Sequence, residues 1–190
     1  LNQTGWPEWY REAEAWAERL RQGPFPLVVI GLSMGALLTL ELGLRVEGIR
    51  GLVCINPPLV LQDWRTNWAR VVRVFRNYIP KALSDEDRQM KSRGRFAYDC
   101  IPLKAFLSMQ ALVKDVIKNM EKINVPVLAV QGGRDELVDA RSYKIMAQRL
   151  PSARLRTLYL ENSPHVATMG EELELLGAAI DSFISDLIGG

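Results

Sequence analysis

Pro26-Leu27-Val28-Val29-Ile30-Gly31-Leu32-Ser33-Met34-Gly35 is the stretch that decides the fold. It opens on an unbroken apolar run rich in β-branched residues, which predicts a strand buried on both faces. Gly-x-Ser-x-Gly follows, and from Met34 to Leu44 the apolar positions recur at helical spacing. Strand, Gly-x-Ser-x-Gly and helix in that order describe a sharp turn that lifts a serine hydroxyl out of the carboxyl end of a sheet. Flanking glycines leave space where a Cβ would clash. The N–H of Met34, at the helix N-terminus, points to where charge on a reacting carbonyl oxygen would develop. The plainer alternative is a glycine-rich turn that packs helix on sheet, with Ser33 as the helix cap.

Working outward, residues 7–20 read as an amphipathic helix, with Trp6, Trp9, Tyr10, Ala13, Trp16, Ala17 and Leu20 at helical spacing and Pro7 in the first turn. Ile49–Ile55 reads as the next strand, stopped by Asn56-Pro57-Pro58. From Leu59 to about Lys122 the pattern is helical, without a convincing strand. Trp64, Trp68, Val71, Val72, Phe75 and Ile79 form a stripe there, opposed by Arg65, Arg70, Arg73 and Arg76; Ser84-Asp85-Glu86-Asp87 looks like a helix start, and Leu103–Met120 like a second long helix. Strands return at Pro126–Gln131 and Arg154–Leu160, with helices from Asp139 to Leu150 and from Glu171 to Ile188. Strands alternating with helices predict an α/β fold, a parallel sheet with helices on both faces. The helical block is too long for a simple crossover and is read as a cap. This divides the chain into a first core part at 1–58, a cap at 59–122 and a second core part at 123–190.

Ligands in such sheets bind at the carboxyl ends of the strands. His165, the one histidine of the chain, lies in Asn162-Ser163-Pro164-His165 just after the strand ending at Leu160, and so at the same end as Ser33. Asp135 follows the 126–131 strand at that end too. A hydroxyl needs a base to become a nucleophile, and the base needs a carboxylate to fix its tautomer. Glu136 and Asp139 are rivals for the carboxylate, though Asp139 is better explained as the cap of the following helix. For Asp135 the alternative is a turn-forming residue whose side chain bonds its own backbone.

Composition removes several other classes of function. Of 190 residues 48% are apolar and 24% charged, and the net charge is +2. No strong field invites nucleic acid or an anionic membrane, and the arginines at 65–76 read as a solvated face. Cys54 and Cys100 are too few and too scattered for a disulfide scaffold or a zinc site, and suit a reducing compartment. No apolar stretch is long enough to span a bilayer. Neither G-x-G-x-x-G nor G-x-x-x-x-G-K-[ST] occurs, and no cofactor is expected.

Several stretches together resemble the carboxylesterase and monoacylglycerol lipase family of the α/β-hydrolase superfamily. They are Trp9-Tyr10, Val29 to Gly35, Gly48 to Val53, Val130-Gln131-Gly132-Gly133-Arg134-Asp135-Glu136-Leu137-Val138, and Glu161-Asn162-Ser163-Pro164-His165-Val166, spread over essentially the whole chain. The chain order Ser, Asp, His is that of the superfamily. The resemblance implies hydrolysis of carboxylic esters through an acyl-serine. Ser33, Asp135 and His165 would form the triad, the Met34 N–H an oxyanion donor, and 59–122 a small helical cap. Short- to medium-chain esters or monoacylglycerols are the implied substrates. The alternatives are a ligand-binding or inactive scaffold of the same fold, or thioester, lactone or C–C hydrolysis by the same triad.

The family opens with several strands and a His-Gly-containing loop that supplies a second oxyanion N–H, and residues 1–25 do not resemble these. The expectation is therefore that an apolar strand followed by His-Gly precedes Leu1, and that without this strand Pro26–Ile30 becomes an apolar sheet edge. The expected location is cytoplasmic, with a leader upstream of Leu1 left open.

Overall fold

The computed structural model describes residues 3–62, 78–80, 92 and 100–189. Four parallel strands, β1 (Leu27–Leu32), β2 (Ile49–Ile55), β5 (Val127–Gly132) and β6 (Leu155–Leu160), form one sheet in the order β1-β2-β5-β6. A short antiparallel pair, β3 (Tyr78–Pro80) and β4 (Cys100–Pro102), stands apart from it. Among the described residues the α-helices are α1 (Trp6–Leu20), α2 (Met34–Arg45), α3 (Leu103–Asn119), α4 (Arg141–Arg149) and α5 (Leu173–Ile188).

Alternation along the two central strands divides the core between the faces of the sheet. Leu52 and Cys54 of β2 and Val127 and Ala129 of β5 pack in one cluster with Tyr10 and Ala17 of α1, Ala36, Leu37 and Leu40 of α2, Leu112 and Val116 of α3 and Met146 of α4. Val53, Ile55, Leu128 and Val130 turn the other way and meet Leu176 and Phe183 of α5. The expected parallel sheet with helices on both faces is what the chain forms. The register pairs Leu32 with Ile55, Ile55 with Val130 and Gly132 with Leu160, so the carboxyl ends lie level and the loops that follow them converge.

Three local expectations need correction. The apolar run of β1 predicts burial on both faces, which only β2 and β5 show, whereas the expected apolar sheet edge at Pro26–Ile30 is what the strand order gives. β1 is an edge of the sheet, its Val28 and Val29 are half-buried, and Ile30 is 49% exposed. The block at 59–122 is not helical throughout, because Tyr78-Ile79-Pro80 pairs with Cys100-Ile101-Pro102. Proline in both strands suits a two-stranded ribbon, where its missing N–H can face away from the partner. Ile79 therefore belongs to a strand and not to the helical stripe. Finally, α4 starts at Arg141, so Asp139 sits one residue before the capping position. The rest of the stripe (Trp64, Trp68, Val71, Val72 and Phe75), the arginines at 65–76 and the Ser84–Asp87 start lie outside the described residues.

Candidate active site

Ser33 occupies the turn between β1 and α2 with φ 57° and ψ −122°, a left-handed conformation that is uncommon for a residue with a Cβ. Holding such a backbone costs on the order of 1–3 kcal/mol, and the surroundings fix it from two sides. The Ser33 N–H donates to Ile55 O at 2.9 Å, which ties the turn to the end of β2. Its own carbonyl accepts from Ala36 N at 2.9 Å and starts α2. At Gly31 an added Cβ would meet the carbonyl of Gly35 and the hydroxyl of Thr39 far inside 3.0 Å, so the strand and the first turn of the helix touch through that glycine. Gly35 differs: a Cβ there meets no described atom within 4 Å. Of the two glycines of the motif, Gly31 is thus required for clearance and Gly35 is not.

The Ser33 side chain makes no capping bond to α2. Its Oγ instead lies 2.9 Å from Nε2 of His165, and Nδ1 of the same ring lies 2.8 Å from Oδ2 of Asp135. Both partners are withdrawn from solvent, Asp135 at 4% and His165 at 9% exposure. An ionised carboxylate only accepts, so Nδ1 carries the proton toward Asp135 and Nε2 presents a lone pair to the serine hydroxyl. Asp135 combines both of its sequence readings. Oδ1 accepts the N–H groups of Leu137 and Val138, each at 2.8 Å, which closes the turn and leaves Oδ2 for the imidazole.

Met34 is the first residue of α2, so its N–H has no acceptor within the helix and lies beside the Ser33 hydroxyl in the chain. Glu136 is exposed and takes no part in the bridge. Asp139 accepts from Arg141 N at 2.8 Å and pairs with the Arg141 guanidinium at 3.0 Å, which holds its carboxyl below the ordinary range. It therefore serves the start of α4 and not the histidine.

Sequence reasoning missed three residues around this bridge. The Gln62 side chain donates to the Asp135 carbonyl. Glu172 Oε2 accepts from Asn162 N at 2.9 Å and from Ser163 Oγ at 2.7 Å, and so pins the loop that carries His165. Asn56, read only as the residue that stops β2, is buried and bonded to the end of β5 and to the loop that carries His165. Its dipeptide with Pro57 signals a turn, and nothing local in the sequence says more.

Among the described residues no group of three His, Cys, Asp or Glu is placed to hold a metal ion, and no helix is long and apolar enough to cross a membrane. Chemically, a hydroxyl hydrogen-bonded to an imidazole that is itself oriented by a buried carboxylate is the arrangement of an activated oxygen nucleophile.

Comparison with known proteins gives the family and the fold. A carboxylesterase of Bacillus subtilis is 24% identical over 188 residues, a span that takes in 98% of this chain and 75% of that protein. A thermostable monoacylglycerol lipase of a Bacillus species is 26% identical over 172 residues, 89% of this chain and 66% of the lipase. Among solved structures, one from the metagenome-derived lipolytic pair LipS and LipT superposes with a TM-score of 0.85 at 24% identity, covering 97% of this chain and 75% of the other. The monoacylglycerol lipase of Paleococcus ferrophilus superposes with a TM-score of 0.79 at 20% identity, over 97% and 76%. The fold is thus that of the α/β-hydrolases. The family described as serine aminopeptidase, S33 (Hydrolase_4) matches residues 10–172, a span that includes Ser33, Asp135 and His165, and the chain belongs to that hydrolase family.

Proposed function

We propose that this protein is a serine hydrolase of carboxylic esters, with Ser33 as nucleophile, His165 as general base and acid, and Asp135 as the carboxylate that orients the imidazole. The observation that carries the reading is the single ring bridging Ser33 Oγ at 2.9 Å and Asp135 Oδ2 at 2.8 Å. Ser33 Oγ attacks the ester carbonyl carbon while Nε2 of His165 takes its proton. The carbonyl oxygen becomes an oxyanion beside the Met34 N–H. His165 then returns the proton to the departing alcohol, which leaves an acyl-serine. Water enters by the same route, its proton going to Nε2 and its oxygen to the acyl carbon; the acyl–Oγ bond then breaks, Nε2 returns the proton to Ser33 Oγ, and the carboxylic acid is released. Asp135 stays ionised throughout and stabilises the imidazolium that forms in each half-reaction. Short- to medium-chain esters and monoacylglycerols are the proposed substrates, supported by relatives that are themselves a carboxylesterase and a monoacylglycerol lipase.

The test is labelling by a serine-directed fluorophosphonate together with turnover of p-nitrophenyl esters and of an amino-acid p-nitroanilide. Labelling at Ser33 is expected, and Ser33→Ala and His165→Ala should each lower ester turnover by at least about 10⁴-fold. Turnover that survives Ser33→Ala overturns the mechanism. Faster turnover of the anilide than of any ester overturns the substrate class while leaving the triad in place.

A further inference from the structure

One residue outside the triad bonds both the end of the strand that leads to Asp135 and the loop that carries His165. Asn56 follows β2 at the carboxyl end of the sheet, is completely buried, and has φ 47°. Its side-chain oxygen accepts the Gly132 N–H at 2.7 Å, at the end of the strand that leads to Asp135. Its side-chain nitrogen donates to the carbonyl of His165 at 2.7 Å and to that of Pro164 at 3.3 Å. The preceding residue, Ile55, accepts the Ser33 N–H at 2.9 Å, and the Asn56 N–H itself donates to Val130 O at 2.9 Å. Ile55 and Asn56 together thus hold the three segments that supply nucleophile, base and carboxylate.

The fit is specific to an amide. Gly132 lies so close to the histidine loop that a Cβ on it would come within 2.5 Å of Ser163 O and 2.9 Å of Pro164 O. An acceptor and two donors are needed within one short side chain at that junction, and only Asn supplies them at this length. Asn also enters the left-handed backbone region more readily than other residues with a Cβ.

Resting on the triad reading given above, we propose that Asn56 is a positioning residue for the reaction. It fixes the His165 ring at hydrogen-bonding distance from Ser33 and Asp135 by clamping the peptide of His165 against the end of β5. It touches neither substrate nor reacting atoms. Asp in its place keeps the shape and the acceptor but turns an oxygen toward two carbonyls. Gly keeps the backbone conformation and removes the clamp. Glu172 holds the same loop from its other end, through Asn162 and Ser163, without bonding the peptide of His165.

The experiment compares Asn56→Gly, Asn56→Asp and Glu172→Gln with the parent chain. It measures ester kcat and KM, fluorophosphonate labelling rate, thermal melting, and the ¹⁵N resonances of the imidazole, which are unambiguous because His165 is the one histidine. Both Asn56 variants are expected to lower kcat and labelling rate by roughly tenfold to a hundredfold, as a misplacement of order 1 Å does. KM should stay within about threefold, because no binding contact is removed. Their imidazole resonances should move from a single Nδ1-protonated pattern toward a mixture of tautomers. Glu172→Gln, at comparable loss of melting temperature, should change kcat far less and leave the tautomer pattern in place.

Unchanged imidazole resonances in a folded Asn56→Gly variant overturn the proposal, as does a loss of kcat matched by Glu172→Gln at equal stability. Should Asn56→Asp fail to fold, Asn56→Gly carries the comparison alone, its left-handed backbone being natural to glycine. The resonance measurement needs no turnover. If the parent chain is not labelled at Ser33 the triad reading fails, while a tautomer shift in the Asn56 variants still reports the clamp.

Discussion

Replacing Gly31 by alanine separates two glycines that the Gly-x-Ser-x-Gly pattern treats alike. At Gly31 the new Cβ would come well under 3.0 Å from the carbonyl carbon and oxygen of Gly35 and from Thr39 Oγ1. Non-bonded heavy atoms settle at about 3.5–4.0 Å, so relief requires the first turn of α2 to lift from β1 by on the order of 1 Å. Thr39 cannot absorb this by turning away, because two of the three offended atoms are backbone and the Thr39 hydroxyl is bonded to Gly35 O at 2.9 Å. Overpacking against backbone belongs at or above the upper end of the usual range, about 3 kcal/mol. For a chain of this size that is ~6–12 °C in melting temperature.

The same displacement carries Ser33 and the Met34 N–H away from His165, and a shift of order 1 Å costs roughly a hundredfold in the chemical step. Gly35→Ala meets no described atom within 4 Å, and Gly35 does not have a positive φ. Alanine at that position of a helix is favoured over glycine by about 1 kcal/mol at most, so equal or slightly higher stability is expected. Circular-dichroism melts and fluorophosphonate labelling rates, run side by side on both variants, give the answer. Adding Thr39→Ala to Gly31→Ala should recover less than half of the loss, because the Gly35 carbonyl remains in the way. Equal melting temperatures for the two single variants would refute the idea that β1 and α2 meet through Gly31.

Asp135→Asn keeps an oxygen for the Leu137 and Val138 N–H groups but turns an amide toward the His165 ring, favouring the wrong tautomer. The chain should fold normally while kcat falls by about 10⁴, and a fall below tenfold would remove Asp135 from its proposed role. Glu41 is fully buried in α2 with Oε2 unpartnered; burial raises its pKa, and Arg45, which is also paired with Asp115, offsets this only in part. With the folded value above the ordinary 4.5, the folded chain holds more protons than the unfolded one, so stability falls as pH rises through the window above 4.5. Urea melts should show that slope, and Glu41→Met should abolish it while remaining within about 1 kcal/mol of the parent at neutral pH; a loss beyond ~3 kcal/mol would contradict this account. Burial likewise pushes the Cys54 thiol well above its ordinary range, so in a Cys100→Ser background iodoacetamide should modify it only through opening of the fold, ~10³-fold or more slower than in urea. Modification at the unfolded rate would show that the core under α2 is open.

How much of this was legible in the sequence follows from how local each cause is. The β1–Ser33–α2 unit reads well because apolar run, glycine and helical spacing lie within about twenty adjacent residues, and β2 reads to its exact ends because Asn56-Pro57 cuts it off. Placing His165 and Asp135 at the end of the sheet nearest Ser33 needed only the strands before them. What the pattern could not assign was division of labour within a side chain. Asp135 looked like a turn-former or a partner for the histidine, and its two oxygens do one task each. The pair β3–β4 was hidden because three-residue strands carry too little alternation to compete with a surrounding helical pattern.

Asn56 marks the limit most clearly. Its bonds reach Gly132, 76 positions away, and His165, 109 away, and no window along the chain contains both ends of either contact. By sequence it is an ordinary strand terminator. Its left-handed backbone and its Asn-Pro dipeptide both fit that bland role, so the local signal is fully used up before the clamp is reached. Triad residues announce themselves by chemical type, since few side chains make a nucleophile or a base at neutral pH. A residue that orients them need only offer a donor and an acceptor, which any buried turn also requires. The two kinds of residue therefore differ in legibility for a physical reason: the first is constrained by the reaction, the second by a junction that exists only once the sheet has assembled.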